Sequence, residues 1–398
     1  MKKIISLFIA ASLLVGCGGN DNKDDNKKAS FKITEDSYVV QMVASDYGSS
    51  QVAIGNILGD RTATQELLIS DKSDYVISTY KNSLYHIGRY EVDAIDKYNT
   101  TKGVTAAEWS YSTNYNTEGS ANTYKLVQQT ETNGYLINYG STKVLQVNPS
   151  ASTYEGFVKA EIDLSEYNVE STSVPNMSDA VILNNHLYVA MQRLDDKWTP
   201  NQAYIAVIDL DTNEEVDTDT QQDGLKGIPL NATNTSTIVE YNGQIYASGG
   251  GKYGSITGGL DMINTDTFEV TSLIDETVFS NLNITTENVF YHVVDVEVVS
   301  DTNAYAIIDF GENYKTRESI IISFNPTDKT FEKLKNASYL DDKLISDINV
   351  DANDRLWLGI SNADNPGIYV LDTDINTING DFIKLDMPVG QIEFLTVQ

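Results

Sequence analysis

Aromatic and basic side chains recur together in seven short polar segments of this chain. Six of the seven segments carry a Tyr or Trp, and five carry Lys or Arg. Aromatic rings stack on planar ligands and attract cations, and Lys and Arg donate charge-assisted hydrogen bonds to anions. A planar or anionic ligand would therefore suit a site built from Tyr47, Arg89, Tyr90, Tyr139, Arg193, Lys197, Trp198, Lys252, Tyr253, Tyr314, Lys315 and Arg317.

A second interpretation of these segments stays open, because the chain contains 24 Tyr. Tyr side chains in loops can pack on neighbouring structure while Lys and Arg remain solvated. Clustering of the side chains near one axis would favour a ligand site. Side chains that splay apart would favour an ordinary surface.

Catalytic and metal-binding patterns are weak. The acidic turns that begin at Asp209 and Asp372 lack the Gly and the closing Glu of a calcium loop. Residues 249–253 are not followed by the Gly-Lys-Ser/Thr of a phosphate loop. No regular ligand spacing surrounds the three histidines, His86, His186 and His292. We therefore predict no catalytic residues, no metal and no cofactor, and keep a hydrolase or lyase as an alternative.

Internal repetition predicts the elements that would position the site. Short turns rich in Asn, Asp or Gly lead into an aromatic residue on a β-rich run, as tight hairpins require. Intervals of 50 to 59 residues, close to the length of a four-stranded propeller blade, separate Tyr85, Tyr135, Tyr188, Tyr246, Tyr305 and Trp357.

The two ends of the chain predict one further blade. β-rich runs occur near Tyr38, at 51–57 and at 64–69, and one more occurs at 391–397. Three N-terminal strands and one C-terminal strand would close the ring and remove its open edges. We predict an all-β, seven-bladed β-propeller of four-stranded blades. Six or eight blades stay possible, because residues 275–288 are ambiguous.

Propeller topology would bring the seven polar segments together. Loops joining the second and third strands of each blade share one face with the blade-to-blade connections. The segments that fall in these loops are 45–50, 88–91, 138–143, 192–198, 249–255, 309–317 and 361–365. The predicted ligand site therefore lies on that face.

The N-terminus has the features of an export signal. Lys2 and Lys3 precede an apolar run at 4–15, which is short for a membrane span. Residues 14–17, Leu-Val-Gly-Cys, resemble the lipobox of bacterial lipoproteins, and Cys17 is the only cysteine in the chain. We predict a signal peptide at 1–16, a lipidated Cys17 on a flexible tether at 17–30, and one propeller domain at 31–398. The alternative is a Cys buried in a transmembrane helix.

The net charge of the chain limits the classes of molecule that it could bind. The chain has 57 Asp and Glu against 27 Lys and Arg, a formal net charge of -30. This field repels phosphate backbones and anionic headgroups, so we predict no nucleic-acid binding and membrane contact through the lipid alone. Gly18 resembles the residue that follows Cys in outer-membrane lipoproteins, and Lys23, Asp24 and Asp25 resemble surface export tags. Cell-surface and periplasmic positions both stay open.

The repeats, the lipobox and the tether together resemble the YncE-like propellers over most of the mature chain. Among these, the chain is most similar to bacterial propeller lipoproteins that sit over TonB-dependent outer-membrane transporters. The resemblance implies capture of cobalamin or a ferric siderophore and delivery of that small molecule to a transporter. An envelope scaffold that binds only a partner protein is the competing interpretation.

The anchor can be tested at Cys17. Cys17→Ser removes the thiol that would carry the acyl chains, so incorporation of radiolabelled palmitate should fall to background and the signal peptide should be retained. The wild-type chain provides the control. Continued labelling of the variant would exclude Cys17 as the anchor.

Overall fold

The computed structural model describes residues 30–221, 224–252, 255, 257–282, 289–312 and 318–397. Strands within these ranges form seven antiparallel sheets. Three strands come first in the chain: β1 (Ser37–Val43), β2 (Ser50–Asn56) and β3 (Thr64–Ser70). No helix of the described residues is long and apolar enough to cross a membrane.

The next three sheets are blades 1 to 3. Blade 1 contains β4 (Tyr75–Tyr80), β5 (Ser83–Gly88), β6 (Ala94–Asn99) and β7 (Trp109–Ser112). Blade 2 contains β8 (Thr123–Thr130), β9 (Asn133–Asn138), β10 (Lys143–Val147) and β11 (Val158–Asp163). In blade 3 the fourth strand is in two pieces, and the strands are β12 (Met177–Leu183), β13 (His186–Met191), β14 (Tyr204–Asp209), β15 (Glu214–Glu215) and β16 (Ile228–Pro229).

Blades 4 to 6 follow the same plan. Blade 4 contains β17 (Thr235–Tyr241), β18 (Gln244–Gly249), β19 (Gly259–Asn264) and β20 (Val270–Ile274). Blade 5 contains β21 (Val289–Ser300), β22 (Asn303–Glu312), β23 (Glu318–Asn325) and β24 (Thr330–Lys333). Blade 6 again has a divided fourth strand and contains β25 (Ile345–Val350), β26 (Arg355–Ile360), β27 (Gly367–Asp372), β28 (Thr377–Ile378) and β29 (Ile383–Lys384).

Short helical segments lie outside the blades. α1 (Glu276–Asn281) is capped by the Asp275 carboxylate, which accepts from the backbone N–H groups of Thr277 and Val278. Within the described ranges, 3₁₀ turns are found at Tyr154–Gly156, Ser165–Tyr167 and Ser338–Leu340. The segment whose sequence was ambiguous therefore begins with a short helix between blades 4 and 5, and the blade count is seven.

Blade 7 joins the two ends of the chain. β30 (Val389–Leu395) pairs antiparallel with β1, and the strand order of the sheet is β3, β2, β1, β30. β30 also contacts β25 of blade 6 and β4 of blade 1, so it is the innermost strand at the seam. The predicted closure by three N-terminal strands and one C-terminal strand is confirmed.

The hydrophobic core is divided among the seven junctions between blades. Each of seven buried clusters draws its residues from two adjacent blades. The repeated aromatic residues of the second strands are at most 3% exposed and lie in these clusters. Tyr135 of blade 2, for example, packs with Met177 and Ile208 of blade 3. Burying one such side chain stabilises the fold by about 1.5–3 kcal/mol, so every blade depends on its neighbours.

A buried polar cluster seals the seam between blades 6 and 7. The Asp351 carboxylate accepts from Arg355 Nε and Trp357 Nε1, both at 2.8 Å. Arg355 Nη2 then donates to the carbonyl of Ile57, at the end of β2, at 3.0 Å. The cluster thus bonds a C-terminal blade to an N-terminal strand.

The propeller has two distinct ends. We call the end with the second-to-third strand loops and the blade-to-blade connections the loop face, and the opposite end the hairpin face. The chain enters at the hairpin face, where the N–H of Ile33 donates to the carbonyl of Thr100 in the third-to-fourth strand turn of blade 1. An N-terminal anchor would therefore leave the loop face unobstructed.

Closure can be tested by ending the chain at Gly390, which removes β30 from Gln391 onward. One sheet edge, that of β1, and two interblade clusters would lose a partner, so we expect the thermal transition to lose cooperativity across the whole ring. Calorimetry is the measurement, and a chain ending at Thr396, which keeps all of β30, is the control. An unchanged melting temperature in the shorter chain would contradict this mode of closure.

Candidate functional site

The innermost strands carry a β-bulge near their start, at the loop-face end of the axis. The register of β12 shifts between Met177 and Asp179, and that of β25 shifts between Ile345 and Asp347. Comparable shifts occur in β8, β17, β21 and β30, whereas β4 pairs regularly with β5. A bulge inserts one residue and redirects the next side chain. In β12, β21 and β25 this side chain is an Asp that reaches the innermost strand of the next blade.

Carboxylates placed by these bulges bond one blade to the next. Asp179 Oδ2 accepts from the N–H of Ile238 at 2.9 Å, and Asp295 Oδ2 accepts from the N–H of Ile348 at 3.1 Å. Asp347 Oδ2 accepts from the N–H of Ile392 at 2.8 Å. A hydrogen bond of this kind contributes about 0.5–1.5 kcal/mol, and more when the carboxyl is ionised. They stabilise the junctions after blades 3, 5 and 6.

Other polar groups serve the remaining four junctions. Gln391 Oε1 accepts from the N–H of Ile77 at 3.0 Å, and Ser78 Oγ accepts from the N–H of Leu126 at 3.1 Å. Ser236 Oγ donates to the carbonyl of Val294 at 3.0 Å. Lys125 Nζ bonds Asp179 Oδ1 at 2.6 Å. Every junction of the ring is thus bridged beside the axis by a side chain.

A small axial cavity of about 250 Å³ lies between these strands. Its lining is strongly acidic, because Lys125 is the one basic side chain among Asp179, Asp295, Glu297, Asp347 and Glu393. No group of three or more His, Cys, Asp or Glu among the described residues is arranged to hold a metal ion. Three of the carboxylates already accept backbone hydrogen bonds. The axial cluster is therefore first of all a structural network.

Burial changes the protonation of this cluster. It raises the pKa of Asp295 to about 7. Burial, followed by the neighbouring Asp295 carboxylate, raises the pKa values of Glu297 and Asp347 well above their ordinary range. Burial also raises the pKa of Glu393. Burial alone would lower the pKa of Lys125, but the Asp179 carboxylate outweighs it and the pKa is raised.

The sequence analysis missed the axial residues, although a signal is present. Ser178-Asp179 and Ser346-Asp347 occupy equivalent places in β12 and β25, two residues after the strand begins. Val294-Asp295 repeats the pattern in β21. An Asp at one blade position, followed by an apolar residue, would have revealed the ring. The search for repeats instead followed the aromatic residues of the second strands.

Two of the predicted site residues meet around Tyr124, beside the axial cavity. The Arg89 guanidinium lies 3.9 Å from the centre of the Tyr124 ring, and the Tyr139 ring stacks on Tyr124 at 4.7 Å. Arg89 Nε is also 3.3 Å from Asp74 Oδ1, and the Tyr139 hydroxyl donates to Gln192 Oε1 at 2.9 Å. These side chains form one partly buried cluster near the axis.

Arg193 is held by its own surroundings. Its Nε donates to the carbonyl of Tyr167 at 2.9 Å and its Nη1 to the carbonyl of Gln202 at 3.0 Å. Its guanidinium lies 5.0 Å from the ring centre of Tyr204. Lys197 and Lys252 are exposed, on the loops of blades 3 and 4. Among the predicted cations that the structure describes, Arg193 is thus bonded locally, and Lys197 and Lys252 lie on separate loops.

Three predicted aromatic residues project from the loop face. Tyr47 is 77% exposed, Trp198 is 72% exposed and Tyr90 is 57% exposed. These are the described aromatic residues that are more than half exposed. Tyr47 and Trp198 have left-handed backbone conformations, with φ of 57° and 61°. The other predicted site residues, Tyr253, Tyr314, Lys315 and Arg317, and the predicted lipid site, Cys17, lie outside the described residues.

A larger groove also lies on the loop face, at the junction of blades 5 and 6. Its volume is about 1080 Å³. Ile320, Leu334 and Leu340 supply apolar surface, and Lys343 and Asn362 supply polar groups. The Asn362 side chain holds the segment 342–344 at the edge of the groove. Its Oδ1 accepts from the N–H of Leu344 at 2.7 Å, and its Nδ2 donates to the carbonyl of Asp342 at 3.1 Å. The groove thus has a fixed edge.

The buried histidine of blade 1 has a structural environment. His86 is a β5 residue, 5% exposed, and its ring stacks on Tyr75 with 4.4 Å between centres. Burial lowers the pKa of His86 to about 3, so the ring is neutral at physiological pH. This is the environment of a strand residue packed in the core.

Comparison with known proteins supports the fold alone. A candidate 6-phosphogluconolactonase from Bacteroides uniformis superposes with a TM-score of 0.58 and 12% sequence identity, covering 91% of this chain and 100% of that one. A protein from Lactobacillus plantarum gives a TM-score of 0.58 and 11% identity over the same shares. No protein-family model and no curated protein matches the sequence.

The protonated axial carboxyls predict an unusual pH dependence. Carboxyls of the unfolded chain titrate near pH 4, so between about pH 4 and 7 the folded protein holds the additional protons. Its stability should therefore fall as pH rises through this range. We expect the melting temperature to be at least about 2 °C higher at pH 5 than at pH 8.

Matched variants separate the axial contribution from general repulsion in an acidic protein. Glu297→Gln should flatten the pH dependence of the melting temperature, because it removes one of the protons bound on folding. Glu170→Gln removes an exposed carboxylate and should keep the wild-type dependence. Equal slopes in the two variants would contradict proton uptake at the axis.

Proposed function

We propose that this protein is an outer-membrane lipoprotein that binds an extracytoplasmic ligand on its loop face and passes it to a TonB-dependent transporter. The observation that carries the proposal is the presence of Tyr47, Tyr90 and Trp198, all highly exposed, on this one face. Large aromatic rings lose contact with water when a ligand covers them, and they form strong binding contacts. Their shared position supports binding there.

The backbone at two of these rings places them at loop tips. A left-handed conformation at a residue other than Gly costs about 1–3 kcal/mol and persists where the surrounding structure holds it. Tyr47 and Trp198 both adopt it at loop tips, in blades 7 and 3. Neither ring is covered by the propeller itself. Such loops are suited to presenting an aromatic side chain outward.

The available space limits how the ligand would sit. Pockets for drug-sized ligands measure about 300–1000 Å³. The axial cavity, about 250 Å³, is below this range, whereas the groove at blades 5 and 6, about 1080 Å³, reaches it. An iron chelate or corrinoid would therefore lie across the loop face and in the groove. Because Arg89 and Arg193 are already bonded, a planar ligand of low negative charge fits better than a highly anionic chelate.

The acidic groups at the axis have a structural role, which does not require catalysis. Asp179, Asp295 and Asp347 each accept a backbone hydrogen bond from the following blade. A carboxylate occupied in this way is poorly placed to exchange protons with a substrate. The proposal is therefore a binding protein without catalytic residues.

The entry point of the chain agrees with the proposed anchor. Ile33 is bonded at the hairpin face, and residues 17–30 would connect it to lipid on Cys17. A flexible tether of this length has an end-to-end distance of about 20 Å. The loop face would then point away from the lipid attachment, toward a ligand or a transporter. Either side of the outer membrane is compatible with this arrangement.

The proposal can be tested by titrating the purified chain with cobalamin, haem and a ferric catecholate while Trp fluorescence is followed. A ligand that lies over the exposed rings should lose about tenfold in affinity in Trp198→Ala, and a ligand that occupies the groove at blades 5 and 6 should lose about tenfold in Lys343→Ala. Tyr154→Ala on the hairpin face is the matched control, and the melting temperatures should agree. If none of the three compounds binds, or if all variants bind equally, the proposed ligand site is wrong.

A further inference from the structure

Each exposed aromatic residue of the loop face has an exposed acidic residue within two positions of it in the sequence. Asp46 precedes Tyr47, and Glu91 follows Tyr90. Asp196 lies two residues before Trp198 in the loop of blade 3. All three acidic residues are exposed. We call these three aromatic residues and their three acidic neighbours the acidic rim.

Several basic residues near the acidic rim are already bonded within the protein. Arg89 pairs with Asp74 and stacks on Tyr124, and Lys143 forms an ion pair with Glu161. Arg193 donates to two backbone carbonyls. The carboxylate-rich axial cavity lies beneath the same face. Lys197 and Lys252 stay exposed on this face, whereas the chain as a whole has a net charge of -30.

An aromatic ring beside a carboxylate is a site for a cation. The ring face attracts Lys or Arg with about 0.5–1 kcal/mol at an exposed position, and the carboxylate adds a charge-assisted hydrogen bond. One such pair is weak. Three pairs, on blades 7, 1 and 3, could be engaged together by one protein segment but are too widely distributed for one small cation.

We propose that the acidic rim docks a Lys- and Arg-bearing segment of an acceptor protein. This inference rests on the proposed function, because a face that transfers its ligand must also meet the protein that receives it. It goes further by assigning the chemistry of that contact. Opposite charges would accelerate the encounter, and aromatic contacts would hold the segment in place. The entry of the chain at the hairpin face leaves the acidic rim open to such a partner.

A synthetic peptide of eight Gly-Arg repeats is a suitable probe, and a Gly-Glu peptide of equal length is its control. Binding to the purified full chain can be followed by calorimetry and by Trp fluorescence. We expect the basic peptide to bind, the acidic peptide not to bind, and the affinity to fall as salt increases. Binding of both peptides, or of neither, would overturn the inference.

Charge-matched variants separate the acidic rim from general attraction to an acidic protein. The combined change Asp46→Asn, Glu91→Gln and Asp196→Asn should weaken peptide binding about tenfold. The control combines Asp211→Asn, Asp266→Asn and Asp374→Asn, which are exposed in third-to-fourth strand turns of the hairpin face. This control should change affinity less than about twofold. Equal losses in the two triple variants would mean that net charge alone binds the peptide, and the inference would be wrong.

The aromatic residues are tested by combining Tyr47→Ala, Tyr90→Ala and Trp198→Ala. We expect about tenfold weaker binding with a nearly unchanged salt dependence, because ring contacts are lost and the charges remain. An unchanged affinity would show that the aromatic residues do not bind the peptide, and the inference would be wrong.

The small-ligand titration is independent of the peptide. A chain that binds cobalamin or haem but no basic peptide overturns this inference alone, and the reverse result overturns the proposed small-molecule ligand alone.

Discussion

The side-chain bonds beside the axis are the interactions on which the rest of the ring depends. Within a blade, backbone hydrogen bonds join the strands, but adjacent blades meet through side chains. At three junctions an Asp carboxylate accepts an N–H of the next innermost strand, and Gln391, Ser78, Ser236 and Lys125 serve the other four. These bonds set the spacing of the innermost strands. The hydrophobic clusters and the loops farther out can pack only when that spacing is correct.

The acidity of the axis follows from this construction. A carboxylate is a strong acceptor for an N–H group, but several of them around one narrow axis repel each other. The structure accommodates them by burying them, which favours their protonated forms, and by placing Lys125 against Asp179. A neutral axis of Thr and Ser would avoid the repulsion but would supply weaker acceptors. Proton uptake is thus part of how the ring is held together.

The fold could be predicted from sequence because its signal is local. The turn and the aromatic residue of each second strand lie within a few positions of one another, and Tyr85, Tyr135 and Tyr305 repeat that pattern. The direction of Asp295 could not be predicted in this way, because a bulge in the strand pairing determines it. The state of Arg89 depends on Asp74 and Tyr124, which come from other segments. The placement of Arg89 on the loop face could be predicted from the sequence, whereas its accessibility to a ligand could not.

The position of the last strand governs when the ring can form. β30 is the innermost strand of blade 7, and its register pairs Ser37 with Leu395. β1 therefore cannot form this pairing until nearly the whole chain has been synthesised. During synthesis or export, β1 to β3 would remain as an incomplete sheet with an open edge. Long-range pairing of this kind is slow and exposes the chain to aggregation. For the exported protein that we propose, this order is an advantage, because the ring closes only after its last strand has crossed the membrane.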